Sequence, residues 1–136
     1  MVCIYCGSET NVTNSRLQKR ANQVWRRRQC QSCGSNFTTH EVADLGSTIV
    51  VQRGTKSLVP FSRDLLFVSV YESLKHRASS LADATALTQT IIGEAVHHAP
   101  NGKLDRDALV AIACAVLERF DKTAATMYAA YHPLSK

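Results

Sequence analysis

The residues with the clearest chemistry are four cysteines. Cys3 and Cys6 form one C-x-x-C pair and Cys30 and Cys33 a second, and each pair is followed at once by a glycine, Gly7 and Gly34. Two intervening residues let both thiolates of a pair point inward from one tight turn, and glycine tolerates the positive φ such a turn needs. Two facing turns complete a tetrahedral S4 cage, the sequence form of a zinc ribbon. Four thiolates fill the coordination sphere of a single Zn2+ and leave no open position for water, so the expected metal is structural and not catalytic. A redox C-x-x-C stands once, near a βαβ pattern. Disulfides belong to secreted chains, and Met1–Cys6 offers neither the basic start nor the apolar region of a signal peptide. Cys114, within an apolar helical run, reads as a small buried hydrophobe.

The second group is cationic. Between Ser15 and Asn36 stand six basic residues (Arg16, Lys19, Arg20, Arg26, Arg27, Arg28) and no acidic one, whereas from Leu45 onward ten Lys/Arg meet eight Asp/Glu. The net charge of +5 is modest as a total, and the positive field belongs to the first third of the chain. On a strand, Arg26 and Arg28 share one face while Trp25 and Arg27 share the other. Guanidiniums on a metal-stiffened strand suit phosphates and guanine edges, which makes nucleic acid the expected partner. Farther on, Arg53 and Lys56 flank a glycine turn just before a helix start at Ser62, an arrangement able to hold a phosphate, although no Walker-type loop is present. His97-His98 has no third ligand at metal spacing. No nucleophile–base pair or paired-carboxylate site supports catalysis, so the chain is not expected to be an enzyme.

The elements that must position these groups give an α+β architecture in two parts. Residues 1–44 form the ribbon, with Asn14–Arg28 as extended strands and Phe37–Thr39 as a β segment after the second knuckle. A short connector runs over Asp44–Ser47. The β-branched stretch Thr48–Arg53 reads as a strand, Gly54-Thr55-Lys56 as a turn, and Ser57–Val59 as a returning strand ended by Pro60. Helices follow. Ser62 caps one reaching about Arg77 with Leu66, Val70 and Leu74 on its stripe. The capping-box sequence Ser80–Asp83 opens a second that reaches about His98, with Ala84, Ile91, Ile92 and Ala95 facing inward. Asp105 starts a third, with Leu109, Ile112, Ala113, Val116, Leu117 and Phe120 in an i, i+3, i+4, i+7 series. Asp121 caps a short fourth carrying Ala124, Tyr128 and Tyr131 as packing residues. The longest apolar run, Ala108–Leu117, is too short for a bilayer, so no membrane association and a cytoplasmic location are expected.

The run from Arg26 through Cys30, Cys33, Phe37-Thr38-Thr39 to Glu41, together with Val12–Arg16, resembles the NrdR family, bacterial repressors of ribonucleotide-reductase genes. In that family an Arg-rich strand leads into C-x-x-C and then Arg-Phe-Thr-Thr-x-Glu. Val50–Arg53 through Pro60–Arg63 resembles the start of an ATP-cone, the nucleotide-sensing helical module of these repressors. The resemblance implies a ribbon, residues 1–44, that binds double-stranded operator DNA through Arg16, Trp25, Arg26, Arg27 and Arg28. It implies an ATP-cone-like domain, residues 48–136, that binds ATP or dATP through Val51, Gln52, Arg53 and Lys56 and changes how a homo-oligomer assembles. Ile4 stands where the family has proline, Asn36 where it has arginine, Gln52-Arg53-Gly54-Thr55 where it has Lys-Arg-Asp-Gly, and Leu65 where it has lysine. These departures keep a second reading open: a nucleic-acid-binding ribbon whose cone is insensitive to nucleotide and serves only assembly.

Overall fold

The computed structural model describes residues 1–54 and 57–135, which divide into two compact units, Met1–Asp44 and Leu45–Lys136.

In the first unit three antiparallel strands, β1 (Thr10–Gln18), β2 (Gln23–Cys30) and β3 (Asn36–Glu41), form a sheet in the order β1-β2-β3. The strands begin four residues earlier than the sequence suggests, and the chain reverses through a single 3-10 turn, Lys19–Ala21. Asn22 closes that turn in the left-handed region (φ 47), a conformation its short amide tolerates. Lys19 and Arg20 consequently sit in the turn and not on a strand. A register shift between Val12 and Asn14 bulges Thr13 out of the ladder, and the Thr13 hydroxyl donates to the Arg27 carbonyl at 3.3 Å. The buried apolar cluster of this unit consists of Cys3, Cys30 and Phe37. A core that small cannot offset the entropy of ordering forty residues, so metal binding must supply folding free energy, on the order of 10 kcal/mol.

The second unit opens on a one-turn helix, α1 (Leu45–Thr48), where the sequence suggests connector and strand. The strand is shorter than expected: β4 (Val50–Arg53) pairs antiparallel with β5 (Ser57–Pro60). The turn expected at Gly54-Thr55-Lys56 lies largely outside the described residues. Pro60 stays within the ladder as the last residue of an edge strand, where a missing N–H costs nothing. The helices are α2 (Arg63–Ser73), α3 (Ser80–Val96), α4 (Arg106–Phe120) and α5 (Lys122–Tyr131). A third strand, β6 (Lys103–Asp105), joins the sheet parallel to β4 and gives the order β5-β4-β6. Sequence reasoning misses β6 because three residues carry no period of their own.

Three of the helix starts are capped as their residue types demand. Ser62 Oγ accepts from the Leu65 amide, Asp105 from the Asp107 and Ala108 amides, and Asp121 from the Ala124 amide. The expected capping box at Ser80–Asp83 does not form. The helix starts one residue earlier than that box requires, and Asp83 instead accepts from the Ser79 hydroxyl and the Arg77 guanidinium. The core gathers Val70, Leu74, Ile91, Leu104 and Leu117, all essentially sealed from solvent, each worth about 1.5–3 kcal/mol of burial. Phe120 and Tyr131, expected inside, are 43% and 63% exposed. Phe120 lies instead under the Arg77 guanidinium, 4.7 Å from its ring centre.

Candidate metal centre, basic sheet face and cavity

The two knuckles are built alike. In each, the first cysteine's amide donates to the carbonyl five residues on (Cys3 to Ser8, 2.8 Å; Cys30 to Ser35, 2.9 Å), and its carbonyl accepts from the following glycine's amide (Gly7, 3.0 Å; Gly34, 3.2 Å). Gly7 and Gly34 have φ of 75° and 71°, as the spacing required. The turns bring all four Sγ atoms within 4.8 Å of one another, with Cys3–Cys33 at 3.7 Å and Cys6–Cys30 at 3.5 Å. A tetrahedral zinc with bonds of about 2.3 Å has sulfur–sulfur edges of about 3.8 Å, so the set fits that ion.

The local hydrogen bonds favour thiolate ligands. Ser8 holds the Cys6 thiol down at about 6, and Ser35 lowers Cys33. Cys30 accepts from the Cys33 amide, which favours its thiolate, yet burial and the neighbouring sulfurs push it up to about 11. Four sulfurs this close are not thiolates together without a cation among them, and supplying that charge is what Zn2+ would do here.

The five expected DNA-contacting residues divide between the two faces of the sheet. Arg16, Trp25 and His40 stand opposite one another across β1, β2 and β3, as do Asn14, Arg27 and Thr38 in another row. Arg16 lies 5.8 Å from the Trp25 ring centre, and Arg27 Nη1 donates to Thr38 Oγ1 at 3.4 Å. Arg26 and Arg28 point the other way, toward the side where Phe37 is buried. Arg26 pairs with Glu41 at 2.8 Å and Arg28 Nε donates to Thr39 Oγ1 at 3.2 Å. One face is therefore an open surface of Arg16, Trp25 and Arg27, with His40 a member that the motif did not single out. The other face uses its arginines to tie β2 to β3.

The expected nucleotide residues separate as well. A cavity of about 360 Å³ in the second unit is lined by Val51 and Arg53 and walled by Phe61, Leu66 and Tyr128. The side-chain amide of Gln52 is bonded to the Gly54 carbonyl at 3.0 Å, and Gln52 is not part of the lining. Lys56 lies outside the described residues. Two further groups line the cavity that sequence reasoning did not find, Arg106 and His132. More than fifty residues separate Arg53 from Arg106, and no spacing rule links them. Among the described residues no acidic side chain lines the cavity; its charged lining groups are Arg53 and Arg106, the latter paired with Asp107, and its walls are apolar, within the size range of small-molecule sites.

The family model described as "Transcriptional repressor NrdR-like, N-terminal domain" matches residues 1–41. Among similar proteins, the transcriptional repressor NrdR of Nitrosomonas eutropha is 32% identical over 93 residues, which cover 68% of this chain and 58% of that protein. The Tropheryma whipplei repressor of the same name is 29% identical over 133 residues, 97% of this chain and 87% of its own length. That of Methylobacterium radiotolerans is 43% identical over 79 residues, 57% of this chain and 44% of that protein. The chain thus spans less than two thirds of the Nitrosomonas and Methylobacterium relatives. Its four clustered cysteines, inside the matched zinc-ribbon domain, form a structural zinc site.

Proposed function

The chain belongs to the NrdR family, and from that membership we propose that it is a transcriptional repressor that binds double-stranded operator DNA of ribonucleotide-reductase genes and responds to adenine nucleotides. On this reading it is a regulator in the bacterial cytoplasm and not an enzyme.

The observation that carries DNA binding is the open sheet face of Arg16, Trp25 and Arg27. The metal cage stiffens β2 at Cys30, and the ladder to β1 and β3 holds the guanidiniums in fixed rows, so little entropy is lost when they meet phosphates. Arg26 and Arg28 serve this surface indirectly, by bracing β2 against β3 through Glu41 and Thr39. The test is duplex binding across a salt series. Arg16→Ala and Arg27→Ala are each expected to weaken binding and to lower the log–log salt slope by about 0.9 for every phosphate no longer neutralised. Arg26→Ala is expected to leave that slope unchanged. A reduced slope in Arg26→Ala, with no effect in Arg16→Ala and Arg27→Ala, would move the interface to the opposite face.

Nucleotide sensing rests on the cavity of the second unit. Arg53, Arg106 and the α2 start capped by Ser62 offer positive partners for phosphates, and the Phe61 and Leu66 walls offer apolar surface to a base or sugar. A nucleotide that favours one assembly state over another would shift a homo-oligomer among arrangements that match or mismatch paired operators. Calorimetry with ATP and dATP tests this, and absence of saturable binding at millimolar nucleotide leaves the scaffold reading in its place.

A further inference from the structure

Arg106, the first residue of α4, is held by more than its own helix. Its Nη1 donates to Asp107 Oδ1 at 2.9 Å and to the Pro133 carbonyl at 2.9 Å. The second carboxylate oxygen of Asp107 accepts from the Ser135 amide at 3.0 Å. One ion pair thereby stitches Pro133–Ser135 to the first turn of α4 at two points. His132, immediately before, lies 4.5 Å from the Tyr128 ring, and both line the cavity that Arg106 lines. Among the described residues, Nε and Nη2 of Arg106 make no hydrogen bond. The Ser135 hydrogen bonds hold Asp107 below the usual carboxylate range, so Asp107 stays ionised and the pair stays formed. Burial, and then the charge of Arg106, lower His132.

We propose that Pro133–Ser135 is a strap that positions Arg106, an anion-binding residue of the cavity, by occupying one edge of its guanidinium and leaving the other donors for a ligand phosphate. The proposal rests on the nucleotide reading above and adds its regulation. A free arginine must lose rotamer entropy to grip a phosphate, and the strap removes that cost beforehand. By linkage, ligand and strap stabilise each other, so a bound phosphate tightens the Pro133–Ser135 segment.

The experiment measures binding of ATP and, separately, of inorganic tripolyphosphate to the full chain, to Ser135→Pro, which lacks the amide that Asp107 accepts from, and to Arg106→Lys, which keeps charge but loses the fork. It also follows hydrogen exchange at residues 132–135 of the unaltered protein with and without each probe. The expected result is affinity about fivefold to tenfold weaker in both variants, the cost of immobilising one long side chain on binding, and slower exchange at the Ser135 amide when a probe is bound. If ATP binds the unaltered chain and Ser135→Pro equally and exchange does not change, the strap is overturned while the nucleotide reading stands. If tripolyphosphate alone binds and does so through the strap, the strap stands and the nucleotide reading falls. If neither probe binds, both fall.

Discussion

At the residue scale, Asp121 of the second unit joins segments far apart in the chain. It caps α5 through the Ala124 amide at 3.0 Å, accepts from His76 Nε2 at 3.0 Å, and accepts from Arg77 Nη1 at 3.1 Å. Arg77 also donates to Asp83 at 2.9 Å, so four side chains join the connector between α2 and α3, the start of α3 and the start of α5. The capping amide first, then His76 and Arg77, draw the Asp121 carboxyl down from 3.8 to about 2. A depressed carboxylate adds stability above its unfolded value and loses it as pH falls through the folded one. Unfolding measured from pH 5 to pH 2 should therefore show a loss of stability between about pH 4 and pH 2. Asp121→Asn, which keeps a capping oxygen and discards the charge, is expected to be less stable at pH 7 and to flatten that acid limb. An unchanged limb would assign it to other carboxylates. The sequence identified Asp121 as a cap. It held no sign of the partners, because His76 and Arg77 lie more than forty residues away.

At the element scale, the small sheet depends on a close approach that only glycine permits. Gly102 has φ of 73°, and a Cβ added there would stand 2.5 Å from the Thr48 carbonyl oxygen. The Pro100–Gly102 turn thereby brings β6 alongside β4, where Leu104 is buried opposite Val51. Gly102→Ala should cost about 1–3 kcal/mol through backbone strain and the displaced carbonyl. Urea denaturation of the variant checks this, and a cost under half of the lower value would mean the turn relaxes freely. Helices α2 to α5 were legible because caps and apolar stripes are local signals. β6 and α1 were not, since each is too short to show a period and owes its conformation to neighbours. The unformed box at Ser80–Asp83 has the same origin: Asp83 meets Arg77 and Ser79, and that alternative wins over the helix amides.

At the scale of the whole molecule, the two units answer to different forces. The first has one buried apolar side chain, Phe37, beside the two buried cysteines of its metal cage, whereas the second has a core assembled from nineteen among the described residues. Cys30→Ser is expected to abolish tight zinc, read by elemental analysis, and to unfold the ribbon, since it removes a buried ligand from a unit with little other stabilisation. The second unit should keep a cooperative thermal transition in that variant. Loss of every transition would show that the helical unit needs the ribbon to fold.

The sequence by itself determined the zinc cage, the placement of positive charge and most of the helical caps, because each is written in residues a few positions apart whose chemistry has one efficient local arrangement. Tertiary structure alone decided which arginines stand on the open face, since a strand's alternation gives two faces and only pairing with β1 and β3 tells which is covered. It alone brought Arg53, Arg106 and His132 around one cavity and set the strap against α4. Meetings between residues far apart in the chain are selected by packing of the entire core, and no short stretch of residues encodes them.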